Sequence, residues 1–451
     1  MKAKKHSLAR KTAAILFVAA LFLVFAGNIF AINRFPRPEF QSGHSLPEPT
    51  TPTPEHYIFE YGAIVVLAIA IALTSYFAIK KRSRIGIFWV AVFSVLFFGF
   101  WRNGCDCPVA SVQNMTLSLF DSGYAIPLTL ILFFTIPLVF TLFFGRTFCA
   151  SVCPLGALQE LVAIKPLTLP RWANQVLGIF PYIFLGLSVL AAATGSAFLV
   201  CQFHPFLGIF RFSASFGMII FGAATLVVGV FIGRPYCRFL CPYGVLLNWV
   251  SRFAKWHISI TPDECIRCGL CEDTCPYGAI ETPTPGNINE QPQRAKRRLA
   301  LLLALAPALI AGFGFVGSSM KDVLSLMHPD VRLAVQLEKE NRDVTVEQTL
   351  ESEAFWKTSE SLEDFHKKVE RIKAEYYLGG WVLGGFIGLV ITLKLLALFV
   401  FRKRSDYLIT KANCYSCGRC VEYCAKEQVR LKEIASGTKR RGKIKLLQRH
   451  L

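Results

Sequence analysis

Eight apolar runs, at approximately 13–32, 58–79, 85–101, 125–145, 176–199, 214–233, 298–317 and 377–401, divide this 451-residue chain. A helix crossing the roughly 30 Å hydrocarbon layer of a bilayer needs about 20 such residues. One run of that length could be a buried core helix; eight with charged flanks describe a membrane protein. Composition agrees, since charged residues make up 18% of the chain against about 25% in soluble proteins. Mean hydropathy is +0.44.

The net charge is +19, which in a soluble chain would suggest nucleic acid. Its distribution says otherwise. With the N-terminus inside, segments 1–12, 80–84, 146–175, 234–298 and 402–451 face the cytoplasm and hold 35 of the 49 Lys and Arg. The outer segments hold 13, nine of them in 318–376 beside 13 acidic residues. This is the positive-inside pattern. It puts both termini in the cytoplasm of a bacterial or archaeal cell, with the chain passing many times through the cytoplasmic (inner) membrane.

Segment 1–32, with Lys2, Lys4, Lys5, Arg10 and Lys11 ahead of its apolar run, reads as a first transmembrane helix or signal anchor. A cleaved signal peptide competes, and either way residue 33 starts outside. A Pro-rich outer linker follows (33–57), then transmembrane helices two and three (58–101). Segment 318–376 is expected as a polar outer domain built on two amphipathic helices, from Leu324, Leu326, Val331, Leu333, Val335 and Leu337, then Leu362, Phe365, Val369 and Ile372. It lies between transmembrane helices seven (298–317) and eight (377–401).

The sharpest chemical signal is Cys265-x2-Cys268-x2-Cys271-x3-Cys275-Pro276. A cubane needs four thiolates, and in two-cluster ferredoxins the fourth cysteine of such a run ligates the other cluster. Cys414, Cys417, Cys420 and Cys424 repeat the spacing 149 residues later, with Ala425 in place of the proline. Zinc, which favours two separated CxxC pairs, fits this spacing poorly. Disulfides do not suit the reducing inner side. Two crossings separate the runs, so both face the same side. The expectation is one two-cluster 4Fe–4S module split by a transmembrane hairpin into 261–290 and 402–451, the second half carrying a basic tail. One cluster would use Cys265, Cys268, Cys271 and Cys424, and the other Cys414, Cys417, Cys420 and Cys275. The fold class is therefore an all-α polytopic membrane protein of about eight transmembrane helices with a small cytoplasmic α+β two-cluster ferredoxin-like module.

Segment 102–260 carries an internal repeat. Gly145-Arg146-Thr147-Phe148-Cys149 leads to Cys153-Pro154-Leu155-Gly156, and 88 residues later Gly233-Arg234-Pro235-Tyr236-Cys237 leads to Cys241-Pro242-Tyr243-Gly244. A duplicated pair of helical hairpins is expected. Helical i, i+4 spacing would put Cys149 beside Cys153 and Cys237 beside Cys241. Four such thiols could hold a third cluster, another metal or a redox-active dithiol pair, or be small buried hydrophobes at a helix junction. Arg146, Arg234 and Arg238 nearby favour thiolate. On the outer side Cys105, Cys107, Cys201 and His204 form a thiolate–imidazole set open to a metal, to disulfides or to plain packing. Glu60 and Lys394 are intramembrane candidates for quinone contact or a proton path, with snorkelling the simpler account of Lys394. Gly380, Gly384 and Gly388 have the spacing of close helix packing. The sequence has no CxxCH, no GxGxxG opening a βαβ unit and no Walker A loop, so no nucleotide partner is expected.

Two GRxxCxxxCPxG elements followed by a ferredoxin run resemble the NapH and NosR/NirI group of membrane polyferredoxins, over roughly 85–280 and, through the second run, toward the NosR type. The resemblance implies electron transfer between the quinol pool or a cytoplasmic donor and a periplasmic reductase, cytochrome or flavoprotein subunit, as an electron-transfer subunit or quinol dehydrogenase component. The large periplasmic flavin domain of NosR-type proteins has no counterpart here, where only the linker 33–57 takes its place. A redox assembly factor for a metalloenzyme, related to the CxxxCP-containing oxidase-assembly ferredoxins, is the alternative.

Overall fold

The structure is a computed structural model that describes residues 57–104, 107–164, 167–211, 215–260, 265–284, 292–342, 348–357, 361–399 and 407–436. The first apolar run, the Pro-rich linker and Cys105 lie outside them. Five helices are long and apolar enough to cross a membrane: α1 (Tyr57–Lys81), α2 (Arg84–Trp101), Arg171–Ala193, Lys296–Ser319 and Leu362–Phe399. Two further expected crossings are shorter apolar helices, α4 (Leu128–Phe144) and α7 (Phe216–Phe231). At a rise of about 1.5 Å per residue they fall just short of a full hydrocarbon layer. Among the described residues, then, seven of the eight expected runs are helical, and five have spanning length.

Between α2 and α4 lies α3 (Pro108–Phe120), too short to cross and entered through a proline at its first position. Its face toward the core carries Ser111, Gln113 and Thr116 beside Val109 and Val112, and the polar groups are bonded. Gln113 accepts from Val200 N at 2.8 Å and donates to Ala197 O at 3.4 Å, while Ser111 and Thr116 donate back to the carbonyls four residues earlier. A half-helix of this kind is tolerated at membrane depth where protein surrounds it.

After α4 the first CxxxCP element runs into α5 (Pro154–Val162). The second leads from α6 (Arg171–Ala193) through α7 into α8 (Pro242–Ser251). The expected single helical face for each cysteine pair is not what forms. Cys149 sits in a π-helical turn and Cys237 in a short helix, whereas Cys153 and Cys241 are extended residues capping the next helix. Pro154 and Pro242 are the reason, since a proline drives the residue before it out of the α region.

The chain then enters α9 (Pro292–Ser319) and, through three shorter helices, α10 (Leu362–Phe399). The second amphipathic helix of the outer segment and the last apolar run are one helix of 38 residues, so the expected boundary at 376/377 does not exist. Its polar-flanked part packs Phe365, Val369, Ile372 and Tyr376 on Val331, Leu337 and Phe355. Its apolar part packs on α9 through glycines: a side chain at Gly380 would meet Gly317 O, and one at Gly384 would meet Phe313 O. Strands β1 (Ile280–Glu281) and β2 (Leu408–Ile409) pair antiparallel, and α11 (Ala425–Ala435) closes the described chain.

Gly384→Leu must push α9 and α10 apart. A loss of about 1–3 kcal/mol is expected for such overpacking, read as a lower Tm of the detergent-purified protein. An unchanged Tm would contradict this packing.

Candidate metal centres

The two cysteine runs fold into the same loop. Arg267 and Gly269 in the first, and Ser416 and Gly418 in the second, occupy equivalent positions and all have positive φ (55°, 80°, 52° and 76°). Alternating left-handed residues curl a short loop so that its amide groups point inward, an arrangement common at Fe–S sites. The strand pair, in the register Ile280↔Ile409, and a bond from Thr410 N to Ala279 O at 2.8 Å join the two halves.

Two cavities follow. One is lined by Cys265, Cys268 and Cys271 with Cys424, and by Ile260, Ile266 and Tyr407. The other is lined by Cys414, Cys417 and Cys420 with Cys275, and by Ile258, Ile280 and Ile409. Each takes three thiols from one run and one from the other. Among the described residues no Asp or Glu lines either cavity. Among the described residues no three His, Cys, Asp or Glu side chains converge where a single ion would sit. A zinc site would hold its sulfurs about 3.8 Å apart at Zn–S distances of 2.3 Å, so thiols placed around a space suit a larger group. Burial pushes the Cys271 and Cys414 thiols up to about 11 and Cys417 to about 12. Without a cationic centre these ligands stay protonated, and metal binding would release their protons. The donor chemistry fits a cubane in each cavity.

The module docks on the duplicated core largely through carbonyls. Arg238 donates to Pro276 O and Tyr277 O at 2.9 and 3.0 Å, and Arg146 and Asn248 both donate to Ala412 O. Arg82, one of the basic residues expected to serve topology, is buried in an ion pair with Glu427 at 3.0 Å. Glu160 is the densest junction. Its carboxylate accepts from Arg234 (3.1 Å) of the second repeat, Arg419 (2.8 Å) of the second ferredoxin half and Tyr277 (2.8 Å) of the first. Burial would raise this carboxyl, but the Arg234 and Arg419 guanidiniums overcome it and bring it down to about 2.

The four CxxxCP thiols are all buried, and N–H groups approach three of them. Gln159 Nε2 lies 3.3 Å from Cys237, Gly244 N 3.3 Å from Cys241 and Arg146 Nη2 3.9 Å from Cys149. Arg234 crosses between the repeats to donate to the carbonyls of Cys149 and Ala150. Tyr415, next to Cys414, lies under the Arg146 guanidinium (4.1 Å to the ring centre) and donates to Cys237 O at 3.2 Å. A third cavity sits at this contact, lined by Arg146, Arg238, Lys394, Cys237, Cys241, Tyr277 and Tyr415. Lys394 therefore faces a polar cavity. Glu60, in the first turn of α1, lines none of these three.

The expected outer set is only partly assembled. Among its described members, Cys107 Sγ and His204 Nε2 meet at 3.7 Å, while Cys201 is exposed. Glu160, Gln159 and Tyr415 carry no motif in the sequence. Their one signal is position: Glu160 and Asn248 stand eleven residues after Cys149 and Cys237, polar residues at matching offsets in an apolar background.

A sequence-family profile described as a 4Fe-4S binding domain matches residues 126–170 and again 214–261, the two repeats, and a second profile of that description matches 258–281. Among curated proteins, NirI of Paracoccus denitrificans is 32% identical over 162 residues, covering 33% of this chain and 24% of NirI. The regulatory protein NosR of Stutzerimonas stutzeri is 27% identical over 253 residues, 50% of this chain and 33% of NosR. The chain thus carries matches to 4Fe-4S binding domains beside its apolar helices, and is similar to NirI and NosR over part of their length. The putative electron transport protein YccM of Escherichia coli is similar too, at 29% over 190 residues, 38% of this chain and 52% of YccM. The chain spans about half the length of these relatives or less, and no solved structure matches it.

Glu160→Gln leaves Arg234, wholly buried, without its counter-ion. Breaking a buried pair from one side costs about 3–5 kcal/mol, so a large fall in Tm and faster iron loss are expected. In the wild type the lowered carboxyl contributes stability fully above pH about 4.5, lost as pH falls toward about 2.

Proposed function

We propose that this protein relays electrons through two 4Fe–4S clusters held at the cytoplasmic face of the inner membrane. One would be bound by Cys265, Cys268, Cys271 and Cys424, the other by Cys414, Cys417, Cys420 and Cys275. The observation that carries this reading is the pair of cavities, each lined by three thiols of one run and one of the other. Bound there, the clusters supply one-electron chemistry. The chain's own residues Ile258, Ile280 and Ile409 shield the Cys414-run cavity from water, whereas Cys265 and Cys268 of the other are exposed, and Arg146 and Arg238 place their charges between the module and the core thiols. The positive-inside distribution supports the orientation.

The third cavity is the proposed entry point for electrons from a quinol. It shares Tyr277 and Tyr415 with the Cys414-run cavity, so an occupant would lie one side-chain layer from that site. Arg146, Arg238 and Lys394 suit a headgroup that gains negative charge on losing protons. Tyr182 lines the cavity, and Trp249 and Phe386 pack on it with ring centres 6.1–6.4 Å apart, giving one aromatic wall suited to a lipid-borne ring. The acceptor proposed is a periplasmic reductase, cytochrome or flavoprotein subunit. Because the hydrocarbon layer is about 30 Å thick, the core thiols would lie on the route outward.

Cross-ligation makes an unusual demand on mutants. Cys424→Ser should disturb the EPR signal of the cluster held chiefly by 265–271, and Cys275→Ser that of the cluster held by 414–420. If each substitution alters only its own run's signal, the shared-ligand reading is wrong.

A further inference from the structure

The Cys107–His204 pair is used neither by the ferredoxin module nor by the proposed quinol cavity. Cys107 Sγ lies 3.7 Å from His204 Nε2. The thiol is half-buried, and the imidazole, 4% exposed, is held out of water beside it. In one tautomer Nε2 takes the S–H proton, and in the other it donates its N–H to the sulfur. Both assist the sulfur as a nucleophile.

Two further features favour negative charge on this sulfur. Cys107 is the N-cap of α3, extended at φ −94° and ψ 112°, with Pro108 at the first helical position. The positive end of a 13-residue helix therefore lies at this residue. Arg211 adds a cation. Its charge acts on His204, and its Nε donates to Asn103 O at 3.1 Å on the turn that leads to Cys107. Helix N-termini and neighbouring histidine or arginine are the settings in which a protein thiol becomes reactive. Here all three come from separate stretches of chain.

We propose that Cys107, with His204 as its proton-transfer partner, is a nucleophilic thiol that exchanges with a disulfide of a partner protein on the outer side. The positive-inside distribution supports that location, and disulfides persist there. The Cys107 sulfur attacks one sulfur of the partner's R–S–S–R′ bond. A Cys107–S–S–R bond forms as the partner's S–S bond breaks, and R′S⁻ leaves with the electron pair. The leaving thiolate takes up the proton that Cys107 gave to the imidazole, so the exchange needs no outside oxidant or reductant. The proposal goes beyond the electron-relay reading and does not depend on the clusters.

Hydroxyethyl disulfide, small and uncharged, is the probe. It is added anaerobically to the full-length protein with its clusters in place, and loss of the Cys107 and Cys201 thiols is followed by isotope-coded alkylation and peptide mass spectrometry. Cys201, the more exposed of the two, is the internal control. An ordinary thiol is only a few per cent ionised at pH 7, whereas an assisted one gains thiolate and loses some intrinsic nucleophilicity. Cys107 should therefore react about threefold faster than Cys201, or more, at pH 7, and the advantage should be gone by about pH 9. His204→Gln should abolish the advantage at pH 7 while the Cys201 rate and the iron and sulfide content stay unchanged. Cys107 reacting no faster than Cys201 at pH 7, an advantage undiminished at pH 9, or one that survives in His204→Gln would overturn the proposal. The wild-type comparison needs no variant, so it decides even where the substitution disturbs folding.

Discussion

Glu160 is a carboxylate in an apolar setting, and three donors from three separate stretches of chain converge on it: Arg234, Arg419 and Tyr277. Taking one carboxylate and two guanidiniums out of water is costly, and the cost is offset only while all three partners stay in place. The group therefore works as a registration device. It fixes the second repeat against the first and both ferredoxin halves against the core. The cysteine cavities depend on that registration, because each is completed by a thiol from the half on the far side of the α9–α10 hairpin. The hairpin returns the chain by close helix contact at Gly317, Gly380 and Gly384. The strand pair Ile280↔Ile409 then sets the last few ångströms.

Much of this was legible in the sequence because it rests on spacing. Apolar length gave the helices, and the four-cysteine spacing gave two loops of one conformation, with glycines at 269 and 418 where the chain must turn left-handed. The misreadings have local physical causes. Pro154 and Pro242 forbid the helical continuation that i, i+4 spacing suggests at the CxxxCP cysteines. The half-helix Pro108–Phe120 is too polar to register as a crossing, its polar groups being satisfied within the fold, those of Gln113 by partners 84 and 87 residues away. The helix Leu362–Phe399 hides its continuity because its polarity changes midway while its backbone does not.

Side-chain junctions were the least legible part. Nothing in one sequence tells that Arg82 pairs with Glu427 and not with a lipid headgroup, or that Cys107 lies against His204 while Cys201 is exposed. Those contacts are set by packing between segments up to 345 residues apart. The duplication gives a partial guide. Positions matched between the repeats, such as Glu160 with Asn248, both meet the second ferredoxin half, one through Arg419 and the other through Ala412 O. A nearly symmetric core thus offers different groups to an asymmetric module.

The central claim is that two halves of one ferredoxin, separated in sequence by a membrane hairpin, close around two clusters. The most direct measurement is iron and acid-labile sulfide per full-length chain, taken with the EPR spectrum of the fully reduced protein. Two neighbouring cubanes require about eight irons and about eight sulfides, and a reduced spectrum broadened by magnetic coupling between them. About four irons with a single uncoupled signal would contradict the shared module, since only one of the two cavities would then hold a cluster.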